Sequence, residues 1–466
     1  MLLRIFFIYI IIKTVLVTVV FCYEKHNSNR MFWFVCVFIL PMGFFIYVVF
    51  GNSLKFKQRK TITKNQKIVE NAIRVNDNYR KISQSNKGYP SCILNNKNFN
   101  FCNINSMKVL SGGKNFFNSL IYDIQNAKSS INLEFYIFSD DVTGMELAKN
   151  LISKSKQGVK VRIIFDGFGS FDTNYKFWGK LKKYNIEIVS FFSSKHKYIN
   201  LKINYRNHRK IVVIDGKIAY VGGVNIRDDH MNMTSFGYWQ DLMIRVTGQI
   251  VYEIQDVFLK DFFCNLNNKI SQNDIEMYFP KIKSCSNRLA KFVISGPNNE
   301  KKHIYTSYIS AINKAKNEII FETPYLILDR KIYYAIKRAI KRKVKVVLIL
   351  PKNPDKDLVY SFSIKYAHKL FICGAFVYLY NGFLHSKVAI FDDCASVGSC
   401  NIDNRSFKLN FEDTLFMYDK YNVNKIKKII DNDIKNSIKV DRKVVANLQT
   451  RYKVGFFMYN ILKYIL

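Results

Sequence analysis

Ile124, Ala127, Lys128, Ile131 and Glu134 return as Ile312, Ala315, Lys316, Ile319 and Glu322, each 188 residues later. A chain that repeats itself at this distance builds one unit twice, and the unit is legible. Each set closes a helical pattern and enters a β-rich run, INLEFYIF in the first copy and EIIFETPYLI in the second. Met145, Leu147, Ala148, Leu151 and Ile152 then form a helical apolar stripe, closed by Gly158 and followed by the strand VKVRIIFD. In the second copy the helix YYAIKRAIKR leads into VKVVLILP. Helices alternating with buried, β-branched strands predict an α/β body of two halves, each a largely parallel or mixed sheet flanked by helices. We expect the halves at 106–295 and 296–430, with a less regular bridge near 265–300. Residues 51–105 read as a basic, polar linker and 431–466 as an amphipathic tail.

The chain opens on two apolar stretches. Met31 to Phe50 is twenty residues without a charge, the length that crosses a bilayer's hydrocarbon core. Pro41 is tolerated inside such a span. Leu2 to Tyr23 is apolar except for Lys13, which costs roughly 3 kcal/mol on insertion scales and is offset by its neighbours. A cleaved signal peptide fits poorly, because Val20, Phe21 and Cys22 make no small-residue cleavage site. Lys55, Lys57, Arg59, Lys60, Lys64 and Lys67 follow the second stretch with no acid until Glu70. The positive-inside rule therefore predicts a transmembrane helical hairpin over 1–50 in the cell membrane, with the body from residue 51 on the cytoplasmic side.

Each half carries one short constellation. The first is NHRKIVVIDGKIAYVGGVN, which holds His208, Lys210 and Asp215 in the pattern HxK(x)4D, then Gly222, Gly223 and Asn225. The second is HSKVAIFDDCASVGSCN, with His385, Lys387 and Asp392 in the same pattern, then Gly398, Ser399 and Asn401. A single HxK is ordinary surface decoration, and Asp215-Gly216 alone reads as a turn. Two complete copies in a chain of only seven histidines are not chance. Strand alternation puts residues i and i+2 on one face, so each His–Lys pair can enter one site. A neutral imidazole is a competent nucleophile or proton carrier near neutral pH, and each lysine suits the nonbridging oxygens of a phosphodiester. The Gly-Gly and Gly-Ser turns would let backbone approach phosphate, and Asn225 and Asn401 can donate to it. Six residues separate Asp215 from Gly222 but only five separate Asp392 from Gly398. The missing residue must fall in the turn near Asp393, because a slip inside a strand would flip its side chains.

The paired motifs resemble the phospholipase D superfamily. The hairpin, the Gly-Gly variant and the runs TPYLI, NGFLHSK and VGSCNIDNRSFKLNFE are similar, over nearly the whole chain, to bacterial cardiolipin synthases. The resemblance implies two mixed sheets with both motifs meeting at one site. It also implies phosphatidyl transfer between two phosphatidylglycerols, without metal or other cofactor. One histidine attacks phosphorus and the other protonates the departing glycerol; the resemblance and the intact first turn favour His208 as nucleophile and His385 as acid and base. Asp241 in YWQD and Glu412 in NFED are positioned like the carboxylates that hold a histidine's other nitrogen.

The net charge of +37 suits a phosphate-rich partner, but Lys is abundant everywhere, as compositional drift alone produces. A hydrolytic phospholipase D is the alternative within the fold. A nucleic-acid phosphodiesterase fits the charge but has no use for a membrane hairpin, so no nucleic acid is expected. The nine cysteines show no C-x-x-C pair and read as free thiols. The end from Val454 is apolar, suited to the membrane interface or to docking on the body.

Overall fold

The computed structural model describes residues 9–18, 33–38, 43–44, 56–79, 99–191, 205–233, 237–266, 271–299 and 301–452. Two mixed sheets dominate it. The first runs in the order Ser106–Ser111, Leu242–Thr247, Ile218–Gly222, Ile211–Ile214, Ser130–Phe135, Lys160–Asp166, Glu187–Phe191. The second repeats that order strand for strand as Leu289–Ser295, Glu412–Met417, Cys394–Gly398, Val388–Phe391, Glu318–Glu322, Lys345–Pro351, Phe376–Tyr380, and adds Cys102–Asn103 and Ser437–Lys439 at its two edges. In both, the last two pairings are parallel and the preceding ones antiparallel. The duplication reaches the helix caps: Asp141 accepts from the Gly144 N–H and Asp329, its counterpart, from the Ile332 N–H, both at 3.0 Å.

Alternation along the strands sorts the core into layers. Ile211 and Val213 join Val388 and Ile390 in a cluster between the two sheets, whereas Val212 and Ile214 face the first half's outer helices and Ala389 and Phe391 the second's. Each fully buried aliphatic side chain contributes about 1.5–3 kcal/mol relative to exposure, so a one-residue slip in a central strand would exchange core for surface and is strongly opposed. The helix Ile250–Phe263 is buried nearly all round within the shared layer.

The boundaries expected from the sequence shift in three places. The expected linker contains an 18-residue helix, Phe56–Ile73, whose Val69 and Ile73 enter the central cluster. Its remaining turns are so polar that the stripe is too narrow to stand out. Leu289–Ser295 pairs with Glu412–Met417 and thus belongs to the second sheet, not the first half. The expected tail begins inside the helix Lys420–Lys435, then supplies the edge strand Ser437–Lys439 and the helix Arg442–Arg451, whose Val444 and Leu448 pack on the second half's outer core. Its apolar end from Val454 lies outside the described residues.

Most of both N-terminal apolar stretches also lies outside them, and no helix among the described residues is long and apolar enough to cross a membrane. The short helical pieces 9–18 and 33–38 touch: Val17, Trp33 and Val37 cluster, and the Lys13 ammonium donates to the Val37 carbonyl at 2.6 Å.

Candidate active site

The two motifs meet, and they meet crosswise. Residues 383–384 form a short parallel ladder with Trp239–Gln240, and the His385 N–H donates to the Gln240 carbonyl at 2.7 Å. Its pseudo-symmetric partner joins Asn207 to Phe411, with the His208 N–H donating to the Phe411 carbonyl at 2.9 Å. Each histidine is therefore laid beside the acid that follows the other half's motif. His208 Nδ1 stands 3.0 Å from Glu412 Oε2, and His385 Nδ1 stands 2.6 Å from Asp241 Oδ2. Neither motif histidine takes its carboxylate from its own half.

The two imidazoles differ in what else their Nδ1 meets. For His208 the second neighbour is the Ser399 carbonyl at 3.2 Å, another acceptor, so Nδ1 carries the proton and Nε2 keeps its lone pair. His385 Nδ1 lies 2.8 Å from the Lys387 ammonium as well as beside Asp241, so a donor and an acceptor compete for it. Burial pushes His208 down to about 4 despite Glu412, and burial reinforced by Lys387 and Lys210 pushes His385 well below the usual imidazole range. Both rings are therefore neutral at pH 7. Lys210 and Lys387 are buried beneath them, pulled down by burial to about 8 and about 7 against the attraction of Glu412 and Asp241. Each ammonium donates to the carbonyl of its own motif histidine.

Other expected site residues fall elsewhere. Asp215 and Asp392 close the turns at the far ends of the four-residue strands Ile211–Ile214 and Val388–Phe391, about 13 Å of strand from the site. Asp215 accepts from the N–H groups of Lys128, Ser129 and Ser130, and Asp392 from those of Lys316, Asn317 and Glu318. They tie the start of the neighbouring antiparallel strand and touch no histidine. For Asp215 burial would raise the carboxyl pKa, but these bonds hold it below its ordinary value. That stabilisation is present above about pH 4 and is lost as the pH falls through the lower folded value. The missing residue of the second motif does fall in the turn, because both pairs of strands keep the same ladder.

The glycines make room for protein rather than phosphate. A Cβ at Gly222 would come 2.2 Å from the Leu242 carbonyl, at Gly398 2.3 Å from that of Asp413, and at Gly223 2.1 Å from Asp241 Oδ1. Ser399, in the place of Gly223, donates instead to Glu412 at 2.6 Å. Asn225 is turned inward, accepting from the Ile137 N–H and lying 3.2 Å from His230 Nε2. Asn401 leaves its buried Oδ1 without a partner among the described residues.

Several neighbours carried no signal in the motif. Tyr136 packs against His208 with centroids 4.9 Å apart, while Trp239 and His230 flank His385 at 5.3 and 5.0 Å. His230, Asp241 and His385 bring ligating atoms within 4.8 Å of one another, the spacing of a metal site. The Lys387 ammonium already sits there and Lys210 adds a second positive charge, which opposes a cation. The rarity of histidine was the one sequence clue to His230. Below the site Arg209 is fully buried, paired with Asp261 and donating to the Glu412 carbonyl at 3.3 Å. Its counterpart Ser386 donates to Glu322 instead.

The family described as "Cardiolipin synthase, PLD-like domain" matches residues 120–262 and 308–434, more than half of the chain. The major cardiolipin synthase ClsA of Bacillus subtilis (strain 168) is 36% identical over 436 residues, covering 90% of this chain and 89% of that protein. A cardiolipin synthase of Oceanobacillus iheyensis is 34% identical over 445 residues, 92% of this chain and 91% of that one. The fold is similar to the crystal structure of a phosphatidylserine synthase from Haemophilus influenzae Rd KW20, with TM-score 0.62 over 79% of this chain and 97% of that one, at 15% identity. A likeness at that identity speaks for the fold alone. With a family match over most of both halves and relatives aligned nearly end to end, the chain belongs to the cardiolipin synthase family of phospholipase D-like proteins.

Proposed function

We propose that this chain is a phosphatidyltransferase that converts two phosphatidylglycerols into cardiolipin and glycerol through His208. The observation that carries the mechanism is the crossed pair of histidine–carboxylate contacts over two buried lysines. His208 Nε2 attacks phosphorus, the bond to the headgroup glycerol breaks, and His385 gives its proton to the departing oxygen. A second phosphatidylglycerol then loses its hydroxyl proton to His385 as its oxygen attacks phosphorus and the P–N bond breaks. Lys210 and Lys387 carry the charge that complements the nonbridging oxygens. Binding the anionic phosphodiester opposes the effect of burial on His385 and raises its pKa towards a value at which it can hold the proton. Purified protein given labelled phosphatidylglycerol should release glycerol and cardiolipin in equal amounts, with chelator present or absent. Phosphatidic acid as the only product would establish the hydrolase instead. Loss of turnover with chelator, restored by zinc, would show a cation at His230, Asp241 and His385.

The same reading places the chain in the cell membrane through residues 1–50, with the catalytic body on the cytoplasmic side. The uncharged stretch Met31–Phe50, the basic run after it and the Lys13–Val37 contact support it. A cysteine substituted for Lys114 should resist impermeant thiol reagents in intact cells and react once the cells are opened. Labelling from outside would reverse the topology.

A further inference from the structure

The first half's loop from Gly167 to Asn174, at the end of the strand Lys160–Asp166, is tied to the catalytic centre at every turn. Asp166 accepts from the N–H groups of Phe168 and Gly169 through one oxygen and from that of Asn207, the residue before His208, through the other. Gly169 lies against Tyr136, the ring beside His208. Ser170 and Thr173 bond the backbone of Tyr136 and Phe138. A loop held this firmly nevertheless turns two aromatic rings outward: Phe168 is 45% and Phe171 42% exposed, and Tyr175, which opens the next helix, is 78% exposed. The buried Arg206 guanidinium lies 3.9 Å over the inner side of the Phe168 ring and holds it in place.

The duplication supplies an internal comparison. The equivalent connection in the second half, after Lys345–Pro351, reads KNPDKD and has no aromatic residue. Closing this turn does not require aromatic residues, so the shared topology alone does not call for rings that remain partly exposed. The helix that follows, Tyr175–Lys182, buries Phe177, Trp178 and Leu181 and shows solvent Lys176, Lys180 and Lys182, with no acid of its own. Rings at the water boundary beside lysines match the interface of an anionic bilayer, where aromatic side chains partition to the headgroup level and Lys meets negative charge.

We propose that Phe168, Phe171 and Tyr175, with the lysines of the following helix, form a docking edge that enters an anionic lipid interface and brings the substrate phosphate to the His208 side of the site. The proposal rests on the function argued above, since only a lipid substrate needs such an edge.

The test uses the full chain and two forms of one substrate. In the Phe171→Ser/Tyr175→Ser double variant, transfer from phosphatidylglycerol vesicles should fall about tenfold as two rings leave the interface. Transfer with a short-chain phosphatidylglycerol below its micellar concentration should be unchanged, because no docking is involved. Equal loss on both substrates, or no loss on vesicles, overturns the docking edge. A second measurement is independent of catalysis. Phe171→Trp should show emission quenched by brominated-chain phosphatidylglycerol vesicles beyond the quenching of the parent protein, and absence of that excess overturns the edge even if the parent makes cardiolipin. If the parent makes no cardiolipin but the excess quenching appears, the docking edge stands and the assigned reaction falls.

Discussion

Replacing His208 by Asn should abolish the phosphatidyl–protein adduct with any donor and lower transfer on the order of 10⁴-fold or more, the scale set by removing a nucleophile. Replacing His385 by Asn should slow transfer from phosphatidylglycerol comparably, yet still allow His208 to be labelled by a donor with a good leaving group. The difference follows from the surroundings of each ring. His208 Nδ1 faces two acceptors, the Glu412 carboxylate at 3.0 Å and the Ser399 carbonyl at 3.2 Å, so its tautomer is fixed and Nε2 presents a lone pair. With its pKa pushed by burial to about 4, that lone pair remains free of a proton throughout the neutral range. His385 Nδ1 is contested between Asp241 and the Lys387 ammonium, a setting that lets the ring exchange a proton more readily than it fixes one. The alkaline limb belongs to the lysines. In the free protein burial pulls Lys387 down to about 7 and Lys210 to about 8, so kcat/KM should fall as the pH rises through those values and the ammonium charges are lost. Quenching labelled reactions at alkaline pH, where phosphohistidine survives, and mapping the adduct by mass spectrometry settles the assignment. Label on His385 in the His208→Asn protein would reverse it.

What the sequence made legible was whatever the duplication repeated. The 188-residue offset announced two units, and the seven-strand order they share follows from helix–strand patterns that recur with it. The doubled His and Lys were legible for the same reason. Position within a site was harder to read. Asp215 and Asp392 repeat as faithfully as the histidines, but they repeat because both halves need the same strand start tied down. Gly222 and Gly398 repeat because two backbones approach closely there. Repetition marks a shared constraint without saying whether it is chemical or architectural. The converse loss is the helix Phe56–Ile73, which has no counterpart among the described residues of the other half and too few apolar residues to show a stripe. His230 was hidden similarly, lying outside the doubled pattern although it packs directly on His385.

The crossing of the acids was beyond any local pattern, because Asp241 and Glu412 follow the motifs of their own halves and serve the histidines of the other. It makes a prediction that an uncrossed arrangement would reverse. Glu412→Gln should reproduce the His208 defect: the amide can turn its NH2 towards Nδ1, the ring proton then moves to Nε2, and the lone pair that attacks phosphorus is lost. The corresponding Asp-to-Asn change in a serine protease triad costs about 10⁴-fold through the same wrong tautomer, and a loss of about 10³ to 10⁴-fold is expected here. Adduct formation from the activated donor should fail with it. Asp241→Asn should reproduce the His385 defect, slowing phosphatidylglycerol turnover while leaving that adduct intact. Because each acid acts through one ring, adding Glu412→Gln to His208→Asn should cost almost nothing further, whereas adding it to His385→Asn should remove the residual labelling. Normal labelling in Glu412→Gln together with its loss in Asp241→Asn would mean that each half completes its own pair, and the crossed geometry would have to be abandoned.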